Sequence, residues 1–374
     1  MRNRYLDLLR ALAIVRVVVY HTTGWAFLTI AFPAMSVMFA IAGSLMAASL
    51  DRSGPVAVGR RLRRLLPSLW ILAALFVPAM LLTGLPVTWR LLLWVAPLAD
   101  PPTNPWGALA LSAIWYLRDC LWFVLVSPLA WWLFRRYPLP TLLAPYVLLV
   151  VVEFGVPTAP LVLRDFGLYF GAWLLGFAHH DGMLRRMSRR VLLSVVGTLA
   201  TAGAAWILTH PGPRGYDIND IRLGNALWSA AFTLLLLGLA PLGMAWLDRT
   251  ARFSRLVTLL NRRALTIYLW HMPIVIGLTA VMRWAGGDPG SASGIGVRLV
   301  AVTALVAVAV ALFGWVEDIA ARRPPELLPG DAATAGPAGP VGRNVPAQRA
   351  PSESVTSQRA PSELVASHRG PGQR

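Results

Sequence analysis

The run at residues 6–21, LDLLRALAIVRVVVYH, has the apolar density of a membrane helix, yet it carries Asp7, Arg10, Arg16 and His21. A charged side chain at the centre of a bilayer costs about 2.5–3.5 kcal/mol on insertion scales, so it is expected to face a bundle interior or an aqueous cavity and to mark a site. Arg10 and His21 are eleven residues apart, which at about 100° per residue is three turns plus roughly 20°. They therefore share one helix face, separated by about 16 Å along the axis at 1.5 Å per residue, and are expected to line one side of an intramembrane cavity. Asp7 lies three residues before Arg10, within pairing distance, whereas Arg16 points to another face and is assigned to packing within the bundle. Histidine is the side chain whose pKa suits proton transfer near neutrality, so His21 can take a proton from an attacking hydroxyl. The plainer reading is a structural Asp7–Arg10 pair with His21 hydrogen-bonded near the interface.

A second candidate is GRRLRRLLPSLW, starting at Gly59. Arg61 and Arg64 are three apart, neighbours on one helix face, and two guanidiniums so placed can grip phosphates in a bidentate manner. On position alone, binding a phosphorylated ligand and anchoring to lipid headgroups are equally good readings; Arg60 and Arg63 are left as anchors. His271 lies within a late apolar segment and is read as a hydrogen-bonded packing residue before a catalyst. Glu153 and Asp165, near the outer ends of their segments, either receive a polar ligand or are hydrated at the interface, and Asp119 is expected to pair with a cation such as Arg118. His179 and His180 beside Asp181 lack a visible third ligand, so no metal is expected. The single cysteine, Cys120, excludes an internal disulfide and any paired-cysteine metal or redox site. No Gly-rich phosphate loop, nucleophile elbow or HExxH pattern is present, which disfavours an energy-driven pump or a hydrolase of those types.

The elements that must position these residues are membrane helices. The chain is 56% hydrophobic and only 14% charged, with a mean hydropathy of +0.59, against roughly a quarter charged in soluble domains. Taking about twenty apolar residues per crossing, ten spans are expected, near residues 5–24, 30–50, 65–84, 111–134, 140–156, 161–178, 191–209, 224–246, 265–284 and 296–316. The shorter apolar piece at 89–97 cannot cross and reads as a re-entrant or interfacial element. All 34 basic residues are arginine, and their clusters fall in alternate loops, which places both termini in the cytoplasm and leaves the opposite loops sparse in charge. The net charge of +17 thus reads as helix orientation and contact with anionic membrane lipids, not nucleic-acid binding. No cleavage site follows the first apolar run, so it is read as the first span and not as a signal peptide. The expected fold class is all-α, a polytopic helical bundle over residues 1–318. The segment 319–374, with its imperfect repeat QRAPSESVTS from Gln348 and QRAPSELVAS from Gln358, has too little apolar surface to order and reads as a disordered cytoplasmic tail.

LDLLRALAIVRVVVYH resembles the first-helix signature of the type-3 membrane acyltransferases of bacteria, in which an Arg, ten residues and a His mark the catalytic helix; here these are Arg10 and His21. Four further segments follow in the family's order. Met38 begins MFAIAGSLM, similar to its second-helix segment, with Ala42 where a serine is usual. Arg61 and Arg64 match its Arg-x-x-Arg element. IWYLRDCLWF, with Trp115 and Tyr116, resembles its Trp-Tyr-Leu helix, and TIYLWHMPI, with Tyr268 and His271, its late Tyr-Leu-x-His segment. Glu317 sits where an acidic residue before proline is frequent.

The resemblance implies a multi-pass plasma-membrane enzyme moving a short acyl group from acyl-coenzyme A to a hydroxyl of a sugar, cell-envelope glycan, glycolipid or glycosylated natural product. Acyl-coenzyme A would be a co-substrate, with no bound cofactor. Arg61 and Arg64 would hold its phosphates, Arg10 and Asp7 would position it, and His21 would act as base or transient acyl carrier. Trp115, Tyr116, Tyr268, His271 and Glu153 would support the site. The alternative is a transporter or flippase of a lipid or natural product, disfavoured because the two halves show no repeat and no paired broken helices.

Overall fold

A computed structural model of the chain describes residues 3–240 and 250–327. Among them there are helices and no strands. In chain order these are α1 (Arg4–Thr23), α2 (Phe27–Ala31), α3 (Ala34–Ser53), α4 (Val56–Leu82), a 3-10 helix at Trp89–Trp94, α5 (Pro105–Ala110), α6 (Ile114–Arg136), α7 (Pro138–Gly155), α8 (Leu161–His180), α9 (Met183–Arg186) and α10 (Arg189–Thr209). A second 3-10 turn at Ile218–Asp220 follows, then α11 (Arg222–Gly238), α12 (Ala251–Arg262), α13 (Ala264–Trp284), α14 (Ala292–Phe313) and α15 (Trp315–Ala320). The polytopic helical bundle expected from composition is the observed architecture. The tail with its ten-residue repeat lies outside the described residues, apart from its first few.

Among the described residues eight helical segments are long and apolar enough to cross a bilayer: Phe27–Ser53, α4, α6, α7, α8, α10, α13 and α14. The two remaining expected spans are also helical. Helix α1 has the length, but Arg4, Asp7, Arg10 and Arg16 lower its hydropathy; α11 is 17 residues long and stops short of the undescribed stretch 241–249. Helix α4 begins nine residues before the expected start at 65, so that Arg60, Arg61, Arg63 and Arg64 lie inside the helix. The apolar piece near 89–97 is the 3-10 helix, with Trp94 buried.

The bundle is organised around α3 and α8, whose backbones touch. A Cβ on Gly43 would lie 2.1 Å from the Trp173 carbonyl oxygen, and one on Gly176 would lie 2.0 Å from the Ala40 carbonyl oxygen. Small residues permit this approach, the usual means by which helices pack where the surrounding lipid is as apolar as the side chains. Phe39, Phe123, Trp173 and Phe177 fill the core around the seam and are buried. Helix α1 packs against both α3 and α13, which turns Leu6, Leu9, Ala13, Ile14 and Val17 of the polar first helix into the bundle while Leu12 and Val15 stay exposed.

Candidate active site

At the C-terminal end of α1, His21 lines a cavity of about 540 Å³. Its ring meets the Tyr20 ring at 4.9 Å and the His271 ring at 5.2 Å between centroids. The helix stops here because Gly24 adopts a left-handed conformation, φ 74°, and its N–H closes on the Tyr20 carbonyl, the usual C-terminal cap. That stop leaves His21 in the last turn, at the mouth of the bundle.

One wall of the cavity is aromatic. Trp115 stacks on Tyr169 with centroids 5.2 Å apart, and the Tyr268 ring lies against Tyr116 at 4.7 Å. The opposite wall is ionic. Arg118, buried on α6, donates to Asp100 at 2.6 Å, to Asp119 at 2.9 Å and to Asp165. One cation so placed keeps three carboxylates together, and two of them, Asp100 and Asp165, face the cavity. Arg16 also lines it, with its guanidinium over the Tyr20 ring at 4.9 Å and its Nε donating to the Leu28 carbonyl at 3.0 Å.

Two loops roof the cavity. The long connection between α4 and α6 contributes Trp94, Asp100, Pro101, Thr103 and Ser112. It is pinned by Trp94 Nε1 donating to Pro102 O at 3.1 Å, by Asn104 capping the N–H of Gly107 at 2.9 Å and by Trp122 Nε1 donating to Leu98 O at 2.9 Å. The second roof is the loop between α10 and α11. Arg214 there donates to the Tyr20 hydroxyl at 2.7 Å and grips both oxygens of Asp220, at 2.9 and 2.7 Å, while Tyr20 in turn donates to Asp217. The Arg214 guanidinium holds the Asp220 carboxyl below the usual carboxylate range, and Asp220 raises Arg214 in return.

Arg10 and Asp7 are not among the cavity's lining residues. Arg10 stands with Arg61, Tyr116 and Cys120: the strongest electrostatic neighbours of the Arg61 guanidinium are Arg10 and Arg64, with Cys120 and Tyr116 next. The main-chain carbonyl of Asp7 accepts from Asn261 Nδ2 at 2.7 Å. The common face of Arg10 and His21 therefore serves two compartments, a basic cluster and a cavity, and the rise of about 16 Å between them is the reason. Buried Tyr116 and Cys120 lie between the two, since Tyr116 feels Arg10 on one side and touches the cavity-lining Tyr268 on the other.

The remaining candidates divide in the same way. Tyr268, Trp115 and Asp165 line the cavity; Tyr116 and His271 stand behind it. His271 is fully buried and its Nδ1 lies 2.5 Å from the Tyr268 carbonyl. Glu153 is held by Arg164 at 3.0 Å and Arg222 at 3.4 Å, outside the cavity. Asp119 is paired with Arg118, as its neighbourhood in the sequence led one to expect. His179 hydrogen-bonds Ser44 at 3.0 Å and His180 pairs with Asp51 at 2.8 Å. Glu317 is a helix cap: its carboxylate accepts from the N–H and hydroxyl of Thr266, at 2.9 and 2.6 Å, at the start of α13.

Sequence reasoning assigned Arg16 to packing and did not single out Asp100, Arg118, Tyr169 or Arg214 as site residues. For Arg214 there was a signal. The outer loops were expected to be poor in charge, yet Arg214, Asp217, Asp220 and Arg222 fall within nine residues; their charges cancel, so a tally of net charge passes over them.

A family model described as an acyltransferase domain matches residues 3–315. Searches of curated proteins and of solved structures find no match.

Proposed function

Since the chain belongs to the type-3 acyltransferase family and is a multi-pass membrane acyltransferase, we propose that it moves an acyl group from acyl-coenzyme A to a hydroxyl of a sugar, a cell-envelope glycan or a glycosylated natural product, with His21 as the base. The observation that carries the reading is His21 on the wall of a cavity of about 540 Å³ that also holds aromatic, carboxylate and arginine side chains. Such a lining suits a hydroxyl-rich acceptor: flat rings cover its apolar faces while a few placed polar groups orient it. The phosphates of the donor lie at Arg10, Arg61 and Arg64, where positive charge is concentrated, on the cytoplasmic side. Its pantetheine arm runs past Tyr116 and Cys120 so that the thioester meets His21.

In the transfer the acceptor oxygen attacks the thioester carbonyl carbon, its proton passes to a ring nitrogen of His21, and a C–O bond replaces the C–S bond. The proton then returns to the departing sulfur, so the products are the ester and free coenzyme A. A positioned general base contributes about 10²–10⁴-fold. With purified protein in nanodiscs, acetyl- and longer acyl-coenzyme A and a pool of sugars and macrolides, His21→Ala is expected to lower thiol release by that factor while the protein remains monodisperse. Thiol release unchanged in the variant would overturn the assignment, and no release by wild type with any donor would turn attention to substrate transport.

A further inference from the structure

His271 holds an unpaired buried acceptor beside the cavity-lining His21. Its Nδ1 lies 2.5 Å from the Tyr268 carbonyl. A carbonyl can only accept, so Nδ1 carries the ring proton and Nε2 is left as a bare lone pair. That Nε2 is buried and has no hydrogen-bond partner among the described residues, in a side chain with no solvent exposure. Leaving a buried acceptor unpartnered is destabilising, and buried side-chain polar atoms are in the large majority partnered. A donor is therefore expected to reach it in the working state. The ring beside it is that of His21, with centroids 5.2 Å apart and planes inclined by 47°.

We propose that His271 Nε2 accepts a hydrogen bond from one ring nitrogen of His21 when the acceptor is bound, leaving the other His21 nitrogen bare and facing the cavity. His271 does not line the cavity, so it is a positioning residue acting through His21. It selects the His21 tautomer able to take the proton of the attacking hydroxyl, and it keeps one N–H of the resulting imidazolium bonded while the other proton goes to the leaving sulfur. Catalytic hydrogen bonds of this kind are often long in unliganded sites and tighten around substrate. The Tyr268 carbonyl plays the outer member of the relay by fixing which nitrogen of His271 carries hydrogen, as the partner of one ring nitrogen sets the role of the other.

The inference rests on His21 being the base, and the test separates the two. In the thiol-release assay wild type, His21→Ala, His271→Phe, His271→Gln and the His21→Ala/His271→Phe double variant are compared. Phe keeps a ring and removes the acceptor; Gln places an amide oxygen near the position of Nε2. Loss of a ring's orienting partner at metal sites costs about 10–100-fold. The expected results are a kcat for His271→Phe lower by that factor with the acceptor KM changed less than about threefold, a Gln variant recovering at least half of the loss on a logarithmic scale, and a double variant no worse than His21→Ala. The inference is overturned if His271→Phe retains wild-type kcat, or if Gln and Phe are equally impaired. If His21→Ala itself keeps wild-type turnover, the reading of His21 fails, and the positioning role falls with it.

Discussion

At the residue scale, what distinguishes one arginine from another in this chain is its company. Arg118 is surrounded by carboxylates and is committed to holding a wall together. Arg61 is half-buried and its strongest electrostatic neighbours are two further arginines, so the cluster attracts an anion. A charge-assisted hydrogen bond is worth about 1.5–3 kcal/mol, or about 10–150-fold in affinity. Arg64→Gln is accordingly expected to raise the acyl-coenzyme A KM by roughly that factor with a smaller change in kcat, read by initial rates against donor concentration; a loss confined to kcat would mean that the cluster is not a phosphate handle. Arg61, Arg64 and His21 were legible as candidates because their spacing alone puts them on defined helix faces. Arg16 was not, since a helical wheel gives an angle and does not say where a cavity opens.

The elements were legible to the extent that hydropathy encodes them. Over the described residues the expected spans correspond to helices, the last part of the span expected at 224–246 lying outside them, while the start of α4 was missed because arginines lower local hydropathy without interrupting the helix. What hydropathy cannot encode is how closely two helices approach. Gly43 and Gly176 look alike in the sequence to Gly197 and Gly277, yet a Cβ on either of the first two would overlap a carbonyl of the facing helix, whereas the latter two have nothing within 4 Å. Overpacking of this kind costs about 1–3 kcal/mol. Gly43→Ala and Gly176→Ala should each lower the Tm in detergent, whereas Gly197→Ala, which only removes a flexible residue from a helix, should leave it unchanged or raise it, the propensity gain being about 0.5–1 kcal/mol. Equal behaviour of the three variants in a thermal-shift series would mean that the α3–α8 seam does not organise the bundle. The cavity roofs were likewise hidden, being held by local side-chain hydrogen bonds of Trp94, Asn104 and Arg214 with no periodicity to read.

At the scale of the molecule, polar latches secure the helices around the cavity and the last described helix, α15. One is the Arg214 clamp on Tyr20, Asp217 and Asp220 at the cavity that His21 lines. The other joins α15 to α13 through two adjacent acids with opposite environments. Asp318, although burial alone would raise it, is held below the usual carboxylate range by the Arg263 and Arg262 guanidiniums. Glu317 is raised by burial from 4.5 to about 7, even though Thr266 and Leu265 donate to it. A carboxyl whose folded value lies above its unfolded one binds its proton more tightly in the native state. Its contribution is therefore fully present below about pH 4.5 and is lost as pH rises through about 7. Asp318 works in the reverse sense, contributing above the ordinary carboxylate value and losing its contribution only in acid, so between pH 5 and 8 the Glu317 trend stands alone of the two. Glu317→Gln keeps an oxygen for the Thr266 N–H and removes the titration. Wild type should lose Tm across pH 5 to 8 by more than the Gln variant does, with the difference levelling off above about 7; parallel curves for the two proteins would show that Glu317 caps α13 as a carboxylate throughout that range.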